Sequence, residues 1–232
     1  MQLNSRFSLP PNSLGYCGKE SAVEKFKGCV VEGSCKGIQE EVKKFIVLNP
    51  YLKTLSKITD LPKFSYKVIE SYWLGNDLLK KAKNSDYLLL LENFKKQGVP
   101  EWLICELQEK KPKRFIPTHL FQVLHVGVGK ASGSVPYNIE TINNCMIRWG
   151  KVTKVIRGKV TVELNSLIKT KGHYVLTVLK ETHPVLPGFI LGLKVGDTVV
   201  IHWNQVIKRL TVDEIEKISF WTKAVLKTID AG

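Results

Sequence analysis

The hydrophobic period of the chain changes partway along, and that change constrains the fold more than any other feature. Up to about Tyr137 apolar residues recur at helical intervals; from Asn144 onward come short runs rich in Val, Ile and Thr, broken by Gly and Pro. Helices are expected at Ile38–Leu48, Tyr51–Ile58, Phe64–Leu74, Asp77–Lys83, Tyr87–Gln97, Glu101–Glu109 and Phe115–His125. A further helix should start near Ser21, where Ser21 and Glu24 have capping-box spacing. Residues 1–20 read as irregular, because Pro10-Pro11 opposes a helix, and Asn49-Pro50 reads as a helix stop.

Strands are expected at Met146–Trp149, Lys151–Ile156, Lys159–Leu164, His173–Lys180 and Asp197–His202, with Arg157-Gly158 as a hairpin turn. The tail Thr211–Ile229 is an amphipathic helix, opened by a Thr211–Glu214 capping box. The expected class is α+β: an all-α N-terminal domain, residues 1–140, then a small OB-like β-barrel with a C-terminal helix, residues 141–232.

Lysine dominates the net charge of +14, and arginine occurs at only five positions. Arginine is the better reader of phosphates and bases, so nucleic acid is disfavoured; the balance suits a solvated lysine surface with no dedicated partner and leaves an acidic protein surface open as a partner. No apolar run reaches transmembrane length and no signal-peptide core is visible, so no membrane association and a cytoplasmic location are expected. The five cysteines (Cys17, Cys29, Cys35, Cys105, Cys145) are odd in number and irregular in spacing. They predict neither a disulfide framework nor a Cys-x-x-Cys zinc site.

Cys17 sits in a glycine-flanked loop, where a backbone can approach a bound group closely, so it is a candidate second thiol. Cys29 and Cys35 could join it in a thiolate site. Cys105 reads as a small core residue, and His119 and His125 each read as hydrogen-bonded structural histidines. The segment Val126–Pro136 is glycine- and serine-rich but has no phosphate-loop spacing; it reads as a flexible connection or a loop lining an interface.

Two separated stretches carry the functional signal. Cys145 precedes Gly150-Lys151-Val152, and Val195-Gly-Asp-Thr-Val-Val-Ile-His202 follows later, succeeded by Ile207, Arg209, Leu210, Asp213 and Glu214. In this order they resemble the HypC/HybG family of small [NiFe]-hydrogenase maturation chaperones, over roughly residues 143–232. The resemblance implies an accessory protein rather than an enzyme. In it Cys145 and His202 would hold an iron fragment bearing cyanide and carbonyl ligands, passed between a maturation scaffold protein and the hydrogenase large subunit. In that family the cysteine is N-terminal, whereas Cys145 is internal, and Trp203 stands where the family has a small residue. Two other readings stay open: an enzyme with Cys145 as nucleophile and His202 or His125 as base, and a small-barrel nucleic-acid binder using Tyr174 and Trp203.

Overall fold

The computed structural model describes residues 1–229. An all-helical region is followed by a five-stranded antiparallel sheet and a C-terminal helix, an α+β arrangement. The helices are α1 Gln2–Ser13, α2 Val23–Val31, α3 Ile38–Lys43, α4 Leu48–Thr59, α5 Tyr66–Trp73, α6 Asp86–Gln97, α7 Glu101–Glu109, a short α8 His119–Phe121, α9 Ile139–Cys145 and α10 Val212–Ile229. The strands are β1 Arg148–Ile156, β2 Lys159–Thr170, β3 His173–Pro184, β4 Thr198–His202 and β5 Gln205–Arg209, in the spatial order β3-β2-β1-β4-β5. Among the described residues no pairing joins β3 to β5, so the sheet is open. No helix among them is long and apolar enough to cross a membrane.

The sheet has two differently occupied faces because successive side chains on a strand alternate. Val152, Val160, Val162, Leu164, Val199, Ile201 and Val206 form a small core of their own. Trp149, Leu167, Val200 and Ile207 turn the other way and join the large core with the helices. A one-residue slip of β4 would exchange Val200 with its neighbours and empty both cores, so the register is strongly fixed. Gly150 is required by steric closeness: a Cβ there would stand 2.0 Å from the Glu163 carbonyl oxygen across the β1–β2 pair. At the other end of the sheet, α10 is held by the capping box between Thr211 and Glu214. It buries Ile218, Trp221 and Val225, and Gly75 leaves the space that the Trp221 ring fills.

Of the segments that differ from expectation, four have an identifiable reason. Residues 2–13 form α1 despite Pro10 and Pro11. Both prolines lie near its C-terminal end, and the helix is buried along most of its length, with Phe7 fully enclosed. An interior proline costs about 3 kcal/mol, and the packing of a central helix offsets it. Arg6 ties α1 to the sheet by donating to the carbonyls of Phe189 (2.7 Å) and Ile207 (3.1 Å).

Asn49-Pro50 opens α4 instead of closing α3. Proline is tolerated in a first turn, whose N–H groups have no helical partner. The expected helix Phe115–His125 is a single α turn, capped by Thr118, followed by a π-turn at Gln122–Gly127. Cys145 does not head a strand; it is the last residue of α9.

The expectation of unpaired cysteines is also corrected at one place: Cys29 and Cys35 are disulfide-bonded, with Cα atoms 4.3 Å apart. Gly33, at φ +75°, lets the chain leaving α2 fold back onto it. In the chain-entropy picture closing so short a loop stabilises by about 2 kcal/mol.

Candidate metal centre

Cys145 reaches its place through the anchoring of α9. Asn138 and Thr141 form a capping box at its start. Asn143 grips β2 in both directions, donating to the Leu167 carbonyl and accepting from the Leu167 N–H, each at 2.8 Å. The Asn144 carbonyl accepts from the Trp203 backbone N–H at 2.7 Å. That bond fastens the end of α9 to the β4–β5 turn, which begins directly after His202. Residues far apart in sequence thereby share one buried spot.

His202 closes β4 with only 1% of its surface exposed. Its Nδ1 lies 2.8 Å from the Phe7 carbonyl. A carbonyl only accepts, so Nδ1 carries the proton and Nε2 presents a bare lone pair. The carbonyl is available because the residue four positions on, Pro11, has no N–H to give it. Nε2 is buried and makes no hydrogen bond of ordinary geometry among the described residues, with the Cys145 carbonyl near enough to the ring to act on it electrostatically. A ring that donates through one nitrogen to a backbone carbonyl and presents the other bare is the arrangement found for metal-ligating histidines.

His119 completes the cluster, and its hydrogen bonds differ from those of His202. Its Nε2 lies 2.8 Å from the Cys145 carbonyl, and its Nδ1 lies 3.0 Å from the Tyr72 hydroxyl. The Cys145 Sγ is 3.7 Å from the same Nε2. One potential ligand atom from each of His119, Cys145 and His202 falls within 4.8 Å of the others. The imidazole centroids are 5.2 Å apart, and Trp73 packs against both, at 4.6 Å from His119 and 5.6 Å from His202.

These three side chains line a cavity of about 300 Å³, together with Cys17, Tyr72 and Trp203. The loop carrying Cys17 is held in place. Asn12 Nδ2 donates to the carbonyls of Cys17 (2.8 Å) and Lys19 (2.9 Å). Gly18 lies so close to the Phe45 ring that a Cβ would stand 2.5 Å from it. The glycine-rich segment Gly127–Val135 forms another part of the wall.

Burial sets the protonation of the whole group. It holds His119 down at about 4 and pushes His202 well below the ordinary histidine value, with the His119 ring lowering His202 further. It raises the Cys145 thiol well above its ordinary value and the Cys17 thiol to about 12. At neutral pH the site therefore holds neutral imidazoles and protonated thiols. No thiolate–imidazolium pair forms, and the Cys145 thiol must give up its proton before it can act either as a ligand or as a nucleophile. Sulfur with imidazole suits iron, cobalt, zinc or copper(I). The cavity exceeds what a bare ion needs and leaves room for positions filled from outside the protein.

Of the residues singled out in the sequence, the structure brings Cys145 and His202 together and places Cys17 on the wall of the same cavity, outside the close cluster. His125 lies elsewhere: its Nε2 is 3.0 Å from the Tyr87 hydroxyl, and its ring stacks on Phe121. Cys29 and Cys35 are bonded to each other, and Cys105 is exposed rather than core. Sequence reasoning took His119 as structural. It does make two structural hydrogen bonds, but it also belongs to the cluster. Only the fold reveals that second role, because no spacing relates His119 to Cys145 or His202.

Fold and site together define an α+β protein with a buried Cys–His cluster at the meeting of its helical part and its sheet. The chain belongs to the family of unknown function DUF6390, which matches residues 1–232. No curated protein and no solved structure matches it.

Proposed function

We propose that this protein is an accessory protein for metal-cofactor assembly that carries a transition-metal fragment on Cys145 and His202. One observation carries the reading: the buried Nε2 of His202, without an ordinary hydrogen bond, and the buried Cys145 thiol, from two separated sequence stretches, line one cavity large enough for an ion with ligands of its own. The HypC/HybG resemblance of the same two stretches supports iron bearing cyanide and carbonyl as the cargo. It likewise supports a maturation scaffold protein or the hydrogenase large subunit as partners, in the cytoplasm. The edge strands β3 and β5 approach one another without pairing, which supports reading residues 141–232 as an OB-like barrel domain beside a helical domain of residues 1–140. Cys17, held at the cavity wall, is the second thiol in this reading, and an acidic partner surface would complement the net charge of +14.

A thiolate donates strongly to low-spin iron carrying π-acceptor ligands, and a neutral imidazole binds beside it without first losing a proton. The test is metal analysis with infrared spectroscopy on protein purified without oxygen from a host making hydrogenase. Iron with cyanide and carbonyl stretching bands is expected in the wild type and absent from Cys145→Ala. Metal-free wild-type protein without such bands would overturn the reading.

A further inference from the structure

Trp203 is the residue of the cavity whose conformation and polar atom lack a structural explanation. It occupies the left-handed region at φ +46°, followed by Asn204 at φ +60°, in the two-residue turn between β4 and β5. Asparagine tolerates that conformation, but a bulky aromatic residue rarely adopts it. The strained turn holds the ring in the cavity wall, 4.6 Å from the Tyr16 ring and 6% exposed. Its indole Nε1–H is buried and has no partner meeting ordinary hydrogen-bond geometry. A buried N–H left unpaired is costly, and strain held at a cavity wall points to a role there. The nearest chemistry is sulfur. The backbone N–H of Trp203 is bonded to the carbonyl of Asn144, directly before Cys145; both side chains line the one cavity, and the Trp203 side chain is near enough to the Cys145 sulfur to favour its anionic form, short of an ordinary hydrogen bond to the neutral thiol.

We infer that Trp203 is a positioning residue for the metal site, whose indole N–H donates to the sulfur of Cys145 once that sulfur ligates a metal. The inference rests on the metal-carrier reading above. A protonated, neutral thiol is a weak acceptor, whereas a metal-bound thiolate is a good one, so the N–H gains its partner only when the site is loaded. The bond withdraws electron density from sulfur and fixes its lone pairs. It also binds the ligand supplied by α9 to the turn that follows His202, so the two ligands are set relative to each other.

The experiment is anaerobic titration of the full chain with Co²⁺, followed through the sulfur-to-cobalt charge-transfer band, comparing wild type, Trp203→Phe and Cys145→Ser. Phenylalanine keeps an aromatic ring but loses the N–H donor together with part of the indole's volume. The expected result is a band in wild type, none in Cys145→Ser, and in Trp203→Phe a band shifted to lower energy with binding about tenfold weaker. An unshifted band with unchanged affinity in Trp203→Phe would overturn the role of Trp203 and leave the carrier reading standing. Absence of any band in wild type would remove both.

So that the inference does not depend on the folding of Trp203→Phe, a second measurement uses no Trp203 variant. In protein labelled with ¹⁵N at the indole nitrogens, one indole resonance is expected to move downfield on adding Zn²⁺ to wild type and to stay put in Cys145→Ser. Indole resonances that do not respond to Zn²⁺ bound by wild type would count equally against the inference.

Discussion

Pro11 and His202 are coupled through one backbone carbonyl: the proline withholds an N–H from the Phe7 oxygen, and the His202 Nδ1 occupies it at 2.8 Å. A residue that looks like a helix breaker thus sets which nitrogen of a cavity histidine carries the proton. Pro11→Ala is expected to restore a helical N–H for that oxygen, compete with His202 and release its tautomer. The helix should tolerate the change, since alanine favours it by up to about 3 kcal/mol, while Co²⁺ affinity should fall by about tenfold. Thermal melting beside a metal titration checks this, and unchanged affinity in a folded variant would refute the coupling.

Metal affinity should rise with pH. The Cys145 thiol is raised above its ordinary value and so is protonated through the neutral range, whereas His202 is lowered and its Nε2 is already free of a proton. A metal entering on Cys145 and His202 displaces one proton, so affinity should climb about tenfold per pH unit between roughly pH 6.5 and 8.5. If Cys17, raised to about 12, also ligates, two protons leave and the slope becomes about a hundredfold per unit. Titrations in a series of buffers read the number of thiols in the site.

The protein should lose stability on mild acidification. His119 and His125 are both held down at about 4, by burial first of all, against an ordinary value of 6.5. A lowered histidine binds protons more readily in the unfolded chain. Its contribution is therefore complete above about pH 6.5 and is lost as pH falls toward 4. For His119 alone the difference is on the order of 3 kcal/mol. Urea midpoints should drop clearly between pH 7.5 and pH 5, and equal midpoints would contradict the neutral, buried state of these rings.

Thiol counting should proceed in three steps. Cys105 is the exposed free cysteine, Cys17 is half-buried at the cavity wall with its thiol raised to about 12, Cys145 is buried, and Cys29 and Cys35 are bonded. A thiol reagent should label Cys105 rapidly in native protein. It should add Cys17 and Cys145 on unfolding, and Cys29 and Cys35 only after reduction. Mass spectrometry of the labelled peptides gives the order directly.

How much of this was legible in the sequence varies from element to element. The β1–β2 hairpin was visible because Arg157-Gly158 interrupts alternating apolar runs, and α10 because its capping box and stripe are local features. Helix α1 was not visible: local propensity opposes it at Pro10 and Pro11, and only burial among distant residues such as Trp73 and His202 stabilises it. The strand expected from Met146 starts only at Arg148, and the helix before it was not foreseen, because α9 is short and its hold comes from Asn143 gripping β2, a contact between distant residues. His119 belongs to the cluster through a fold-dependent approach that no spacing encodes. The bare Nε2 of His202 depends on the absence of a single N–H in another helix.

The aromatic wall has an optical consequence. Trp73 and Trp203 both border the cavity, whereas Trp102 is exposed on α7. An open-shell metal arriving beside the first two would quench their emission by energy or electron transfer and leave the red-shifted light of Trp102 largely unaffected. The colour of the protein's own fluorescence would then report whether the chamber is filled, without a dye or a label.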